Sequence, residues 1–169
     1  MSVQKSAGEG AEPRSNEPGA AVRTQSIIGT YRLINLSRIP VDTGKPEESF
    51  GSNPEGYIMY GSDGRMMVLM LEADRPRTSY AAMTDADRIR LFNTMVAYAG
   101  VYTYDGDIVT HHVDVSSNGI FTGTILRRRA SFEGNRLLLT SEAAPAPRDG
   151  RMSVNTALWE RVPQVLTQK

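Results

Sequence analysis

The chain contains no cysteine. That excludes a disulfide scaffold, thiolate-ligated zinc, an iron–sulfur cluster and a cysteine nucleophile. Histidine is nearly as scarce: the chain has 2, the neighbours His111 and His112. On a strand, adjacent side chains point to opposite faces, so this pair cannot share one cavity and a metal centre built on it is not expected. Neither sign of charge is in excess. Lys and Arg total 19, Asp and Glu total 19, and the formal net charge is zero, a balance that argues against a nucleic-acid partner. No stretch approaches the ~20 apolar residues that span a bilayer. The opening MSVQKSAGEGAEPRSNEPGAAVR lacks the apolar segment of a signal peptide. No membrane partner and a cytoplasmic location are therefore expected. A Gly-x-Ser-x-Gly elbow, a P-loop and a dinucleotide fingerprint in a βαβ setting are all missing, so no cofactor is expected.

What is present points to strands. Hydrophobic residues make up 40% of 169 residues, enough for one domain with a core. Residues 1–24 are rich in Gly, Ala, Glu, Ser and Pro and read as a disordered tail, residues 25–163 as the domain, and 164–169 as a second tail. Within the domain, GTYRLINLSR reads as a first strand and MSVNTALWERV as the last. Between them, Ser62-Asp63-Gly64, Asp105-Gly106 and Glu133-Gly134-Asn135 punctuate three apolar stretches as hairpin turns. The fold class expected is mainly β: a single antiparallel up-and-down barrel of about eight strands, closed so that no edge is left exposed. One helix interrupts it. Thr84 is a plausible N-cap with Asp87 three residues on, and Ile89, Phe92, Met95 and Val96 recur at helical spacing. That apolar face is expected to pack on the barrel wall or to plug one end.

Several segments in order resemble the bacterial and fungal lipocalin-like domain family. They are Gly29-Thr30-Tyr31, the stretch Asn53 to Tyr60 followed by Asp63-Gly64-Arg65-Met66, Asp74-Arg75-Pro76, Ala97 to Tyr102, Val109 to Val113, and Leu158-Trp159-Glu160-Arg161-Val162. The resemblance covers most of residues 26–162. It implies a barrel around a pocket, in a family some of whose members sit beside natural-product biosynthesis genes. It also implies that Arg161 or Trp159 meets Tyr31 to close the barrel base. The chain departs from the family pattern at Val115-Ser116-Ser117-Asn118-Gly119, where relatives often carry a Pro and a Trp, so ligand specificity does not carry over.

The chemistry-bearing residues follow from strand parity. Val109, His111, Val113 and Val115 form the more apolar face of their strand, so His111 is the histidine expected inside, as a tentative acid or base. Tyr98 and Tyr102 share a face, as do Tyr57 and Met59, and Met66 alternates in step with Met70. Phenol rings and thioethers suit a pocket for a small apolar molecule. The run Arg127-Arg128-Arg129 forms no single patch on a strand, and one member is expected to turn inward; Arg127 is assigned to the ligand. Trp159 is counted with the lining. The segment Met66 to Leu71 is apolar on both faces, so its second face needs the helix, the N-terminal arm or a second subunit, and a homodimer is worth testing. Two functions remain open: binding of a small apolar molecule, or a cofactor-independent isomerase or cyclase acting on a polyketide- or terpenoid-like intermediate.

Overall fold

Strand alternation and short hairpin turns roll this sequence into one antiparallel sheet. The structure is a computed structural model describing residues 26–146 and 149–163; the expected tails at 1–24 and 164–169 lie outside the described residues. The elements are β1 (Gly29–Pro40), β2 (Glu47–Glu48), β3 (Glu55–Tyr60), β4 (Arg65–Leu71), α1 (Asp85–Asn93), β5 (Met95–Tyr104), β6 (Ile108–Ser116), β7 (Ile125–Glu133), β8 (Arg136–Ser141), β9 (Ala144–Pro145) and β10 (Met152–Arg161). Consecutive long strands are neighbours, and β1 also pairs with β10 from Tyr31↔Arg161 to Pro40↔Ser153. That pairing closes a barrel of 8 strands; β2 and β9 are short additions beside β1 and β10. The anticipated turns are where the residues put them: Gly64 and Gly134 adopt φ of 79° and 59°, a region that costs glycine little. At the third turn the Asp105 carboxylate accepts from the backbone of Asp107 and Ile108.

The two ends of the barrel differ. At the base, Arg161 on β10 lies over the Tyr31 ring, 4.6 Å from its centroid, and donates to the Tyr31 hydroxyl. Its other hydrogens reach the carbonyls of Ile28 at 2.7 Å and Ser26 at 2.8 Å. The Tyr31 hydroxyl donates in turn to Ile27 O at 3.0 Å. One guanidinium thus ties the chain before β1 to the end of β10. At the opposite end, the long connections gather. Arg38 bridges Glu47 and Asp149, each at 2.8 Å, while Arg151 reaches Asp42 and Glu47 at 2.8 and 3.1 Å. These pairs fasten β1, β2 and the turn before β10 to one another along one side of that rim.

Two irregularities set which residues face inward. In β1 the register with β10 shifts between Leu33 and Asn35, so Leu36 rejoins the inner face. In β6 an extra residue, Asp114, sits opposite the step from Ala99 to Gly100. The bulge turns Val115 outward, where it pairs with Ala99 and is exposed; the expectation that Val115 shares the His111 face is corrected by this change of parity. Gly100 is required here, because a Cβ would lie 1.9 Å from the His112 carbonyl oxygen.

Helix α1 begins at the expected cap. Thr84 accepts from the Asp87 N–H, and the Asp87 carboxylate accepts from the Thr84 N–H. It ends at Asn93, so Met95 and Val96 belong to β5 instead of the helix face. Ile89 and Phe92 remain 62% and 50% exposed, so the expected apolar face is not buried against the barrel. Polar contacts hold the helix at the rim: Arg75 donates to Leu91 O and Thr94 Oγ1, and Arg90 to Asp74 O. The outer wall over β3, β4, β5 and β6 is also apolar, with Met59, Met67, Ala99 and Val115 as successive cross-strand neighbours. Three of these four are large and exposed in the single chain.

Two substitutions test this account. Arg161→Met is expected to lower the unfolding free energy by about 2–3 kcal/mol in urea titration, since it removes the hydrogen bonds to two carbonyls and to the Tyr31 hydroxyl together with the charge over the Tyr31 ring. Gly100→Ala is expected to cost about 3 kcal/mol through the steric conflict with the bulge, whereas Gly134→Ala costs about 1 kcal/mol.

Candidate functional site

Parity along each strand decides what the barrel encloses. On β3 the inward residues are Ile58 and Tyr60, both buried, while Tyr57 and Met59 stand outside at 50% and 49% exposure. The expectation that Tyr57 and Met59 line the interior is therefore corrected. Both faces of that strand are equally apolar in sequence, and the choice is made by the pairing of Tyr31 with Ile58. Met66 and Met70 on β4, Tyr98 and Tyr102 on β5, His111 on β6 and Trp159 on β10 do face inward and join one core. On β7, Leu126, Arg128, Ala130 and Phe132 share the inner face. Arg127 and Arg129 are exposed on the outside. Arg127 is thus corrected as the inward arginine: the turn to β7 starts with an outward Ile125, which leaves the middle arginine pointing in.

The inward residues are packed unequally. Near the base, Trp159, Tyr31, Leu33, Ile58, Leu137 and Val109 are all but inaccessible. Tyr102 belongs to this half; it meets Tyr60 edge-on at 4.8 Å and donates to Gly61 O at 2.9 Å. The Trp159 indole N–H has no acceptor among the described residues. Toward the rim, Met70, Val96, Leu126 and Arg128 are inward-facing yet partly open to solvent. Phe121 reaches over from the β6–β7 connection and tilts against Tyr98 at 5.7 Å. A separate surface groove of about 380 Å³ lies outside the base, against Ser26, Ile28 and Tyr104.

Between base and rim sits a buried polar triad. His111, 1% exposed, has Tyr60 Oη at 2.8 Å from Nε2 and Tyr98 Oη at 3.1 Å from Nδ1. The three residues come from β6, β3 and β5, and their rings pack tilted at 5.7 and 5.9 Å. Burial, with the nearby Arg128 and His112 charges adding to it, holds the His111 pKa down at about 3. The imidazole is therefore neutral around pH 7 and carries one N–H. Burial also pushes the Tyr60 and Tyr98 phenols up, with Arg128 opposing the rise at both. All three groups are thus uncharged hydrogen-bonding partners. Sequence reasoning singled out His111 and Tyr98 but missed Tyr60, Phe121 and Arg128. The alternation Ile58–Tyr60 was the available signal for Tyr60; Phe121 lies in a loop and had none. Among the described residues, no group of His, Asp and Glu is placed to hold a metal ion, and no helix is long and apolar enough to cross a membrane.

A closed antiparallel barrel of 8 strands with an arginine seam at its base and an inward-facing aromatic and methionine lining defines a barrel of lipocalin type. A family model described as a lipocalin-like domain matches residues 28–162, and the chain belongs to that family. No curated protein matches the sequence.

The triad has a measurable consequence for stability. The unfolded chain takes up a proton on His111 near 6.5, whereas the folded protein resists it down to about 3. Stability is then full above that window and falls as pH drops through it, at a slope approaching 1.4 kcal/mol per unit. Urea midpoints measured across the upper half of the window are expected to decline in wild type. His111→Gln is expected to flatten that decline, and an unchanged slope would count against a buried neutral imidazole.

Proposed function

We propose that the protein takes up a small apolar molecule in the rim half of its barrel. One observation carries the reading: inward side chains near the rim, Met70, Val96, Leu126 and Phe121, stay partly exposed above a fully buried floor of Tyr60, His111 and Tyr98. A barrel packed solid from end to end would bury both halves alike. The wall offers thioether and aromatic surface, which adapts to varied apolar shapes. The floor supplies a few fixed polar atoms for orientation. Family membership supports the same reading, since the architecture is that of a lipocalin-like barrel.

The isomerase or cyclase reading, with His111 as acid or base, has less in its favour. An imidazole held near 3 takes up almost no proton at neutral pH, and both of its nitrogens are already engaged by phenols. Any rate enhancement would have to come from positioning the guest. Binding without turnover is the function we assign.

The uncharged dye N-phenyl-1-naphthylamine tests it. Wild type is expected to bind the dye saturably with a blue-shifted emission. Phe121→Ala and Met70→Gln should each weaken that binding by about tenfold, or ~1.4 kcal/mol, while the outward Met67→Gln leaves it unaltered. A titration without saturation, or equal losses at Met67 and Met70, would falsify the binding cup.

A further inference from the structure

Three arginines stand in a row on β7, and their surroundings differ. Arg127 pairs with Glu142 at 3.8 Å and Arg129 with Asp107 at 2.7 Å, both on the outer surface. Arg128 pairs with no carboxylate among the described residues; it donates to the carbonyl of Arg127 at 3.1 Å and also reaches the Tyr98 hydroxyl. It is also the one that points inward, between Leu126 and Ala130, opposite Val109 on β6 and Ser141 on β8. Its reach to the Tyr98 hydroxyl, and its place opposite Val109, two residues along β6 from His111, set the guanidinium beside the triad.

The triad itself has a hydrogen too many. Two phenols and a neutral imidazole carry three polar hydrogens, but only two contacts link them. Whichever tyrosine accepts from the imidazole N–H keeps its own O–H to offer elsewhere. Guanidinium groups only donate. The rim half of the barrel therefore presents surplus donors and a cation that no carboxylate among the described residues neutralises, within a largely apolar wall.

We infer that the guest is an organic acid, an apolar body ending in a carboxylate, with Arg128 as the counter-ion of its head group. This rests on the reading of the barrel as a binding cup. A carboxylate accepts from the guanidinium and from the spare phenolic hydrogen together, and so answers both imbalances. An alcohol or ester accepts only as a neutral group and leaves the cation uncompensated. The apolar body lies against Met70, Val96, Leu126 and Phe121.

Competition against N-phenyl-1-naphthylamine by decanoate and by decan-1-ol, near neutral pH, tests the assignment. Decanoate is expected to displace the dye from wild type at a concentration at least about tenfold lower than decanol. Arg128→Gln should close that gap by weakening decanoate at least about tenfold more than decanol, and Arg128→Lys should keep part of the gap. Arg129→Gln should keep all of it. Because Arg128→Gln removes an uncompensated interior charge, its melting temperature is expected to equal or exceed that of wild type, so a failure to fold would itself contradict the inference. Equal potency of acid and alcohol against wild type, or equal losses of both in Arg128→Gln, overturns the acid assignment and leaves the cup intact. A dye that never saturates takes the cup and the acid down together.

Discussion

Arg161 spans the seam of the barrel, with its guanidinium over the Tyr31 ring and its hydrogens on the carbonyls of Ser26 and Ile28. Without that closure the sheet would have two unpaired edges, at β1 and β10, and its apolar inner face would open to water. Closure also fixes geometry elsewhere. Once Tyr31 is paired with Arg161 on one side and Ile58 on the other, the inward residues of β3 are settled. From β3 the choice passes through β4 to β5 by continuous register, and so to the positions of Tyr60 and Tyr98. The seam and the triad are thus linked by the ladder of pairings between them.

Much of this was legible in the sequence because alternation with turn residues is a strong signal. The hairpin turns, the first and last strands and the helix cap at Thr84 were expected from residue types, while the family resemblance implied that Arg161 or Trp159 meets Tyr31, and it is Arg161 that does. Inside and outside were harder to assign. On β6, Val109 and Val113 flank His111 and distinguish its face; on β3, Tyr57 with Met59 and Ile58 with Tyr60 are equally apolar. Where both faces are apolar, alternation says that the strand has two faces but not which is inner. The bulge at Asp114 is of another kind. It is created by two strands together, with Gly100 admitting the backbone of His112, and no single-strand pattern reveals it. The helix shows a third limit: Ile89 and Phe92 have helical spacing, yet capping and rim hydrogen bonds hold α1 without burying them.

The interior combines groups that would each be costly alone. A histidine away from water is tolerated when uncharged and bonded at both nitrogens, and the two phenols meet that requirement. Nearby Arg128 reinforces the neutral state by raising the cost of a second positive charge. The arrangement is self-consistent wherever the folded imidazole stays unprotonated, which extends from neutral pH down toward about 3. It also makes the floor rigid, since Tyr60 is held by His111 on one side and ringed by Tyr31 and Tyr102 on the other.

Position within the barrel decides what a charge there can do. At the base, a guanidinium finds backbone carbonyls and an aromatic face, and Arg161 is satisfied without any carboxylate. Near the rim, Arg128 has a strand neighbour's carbonyl and otherwise apolar or hydroxyl-bearing company. The first arrangement is complete within the chain and so serves closure. The second has residual solvent access that keeps its cost moderate, since an exposed side lowers the desolvation penalty of a lone charge. A partner that excluded that water would have to bring compensating negative charge with it. The same chemical group therefore acts as a fixed structural tie at one end of the barrel and as an incomplete ion pair at the other, and the difference comes from which acceptors the surrounding strands supply.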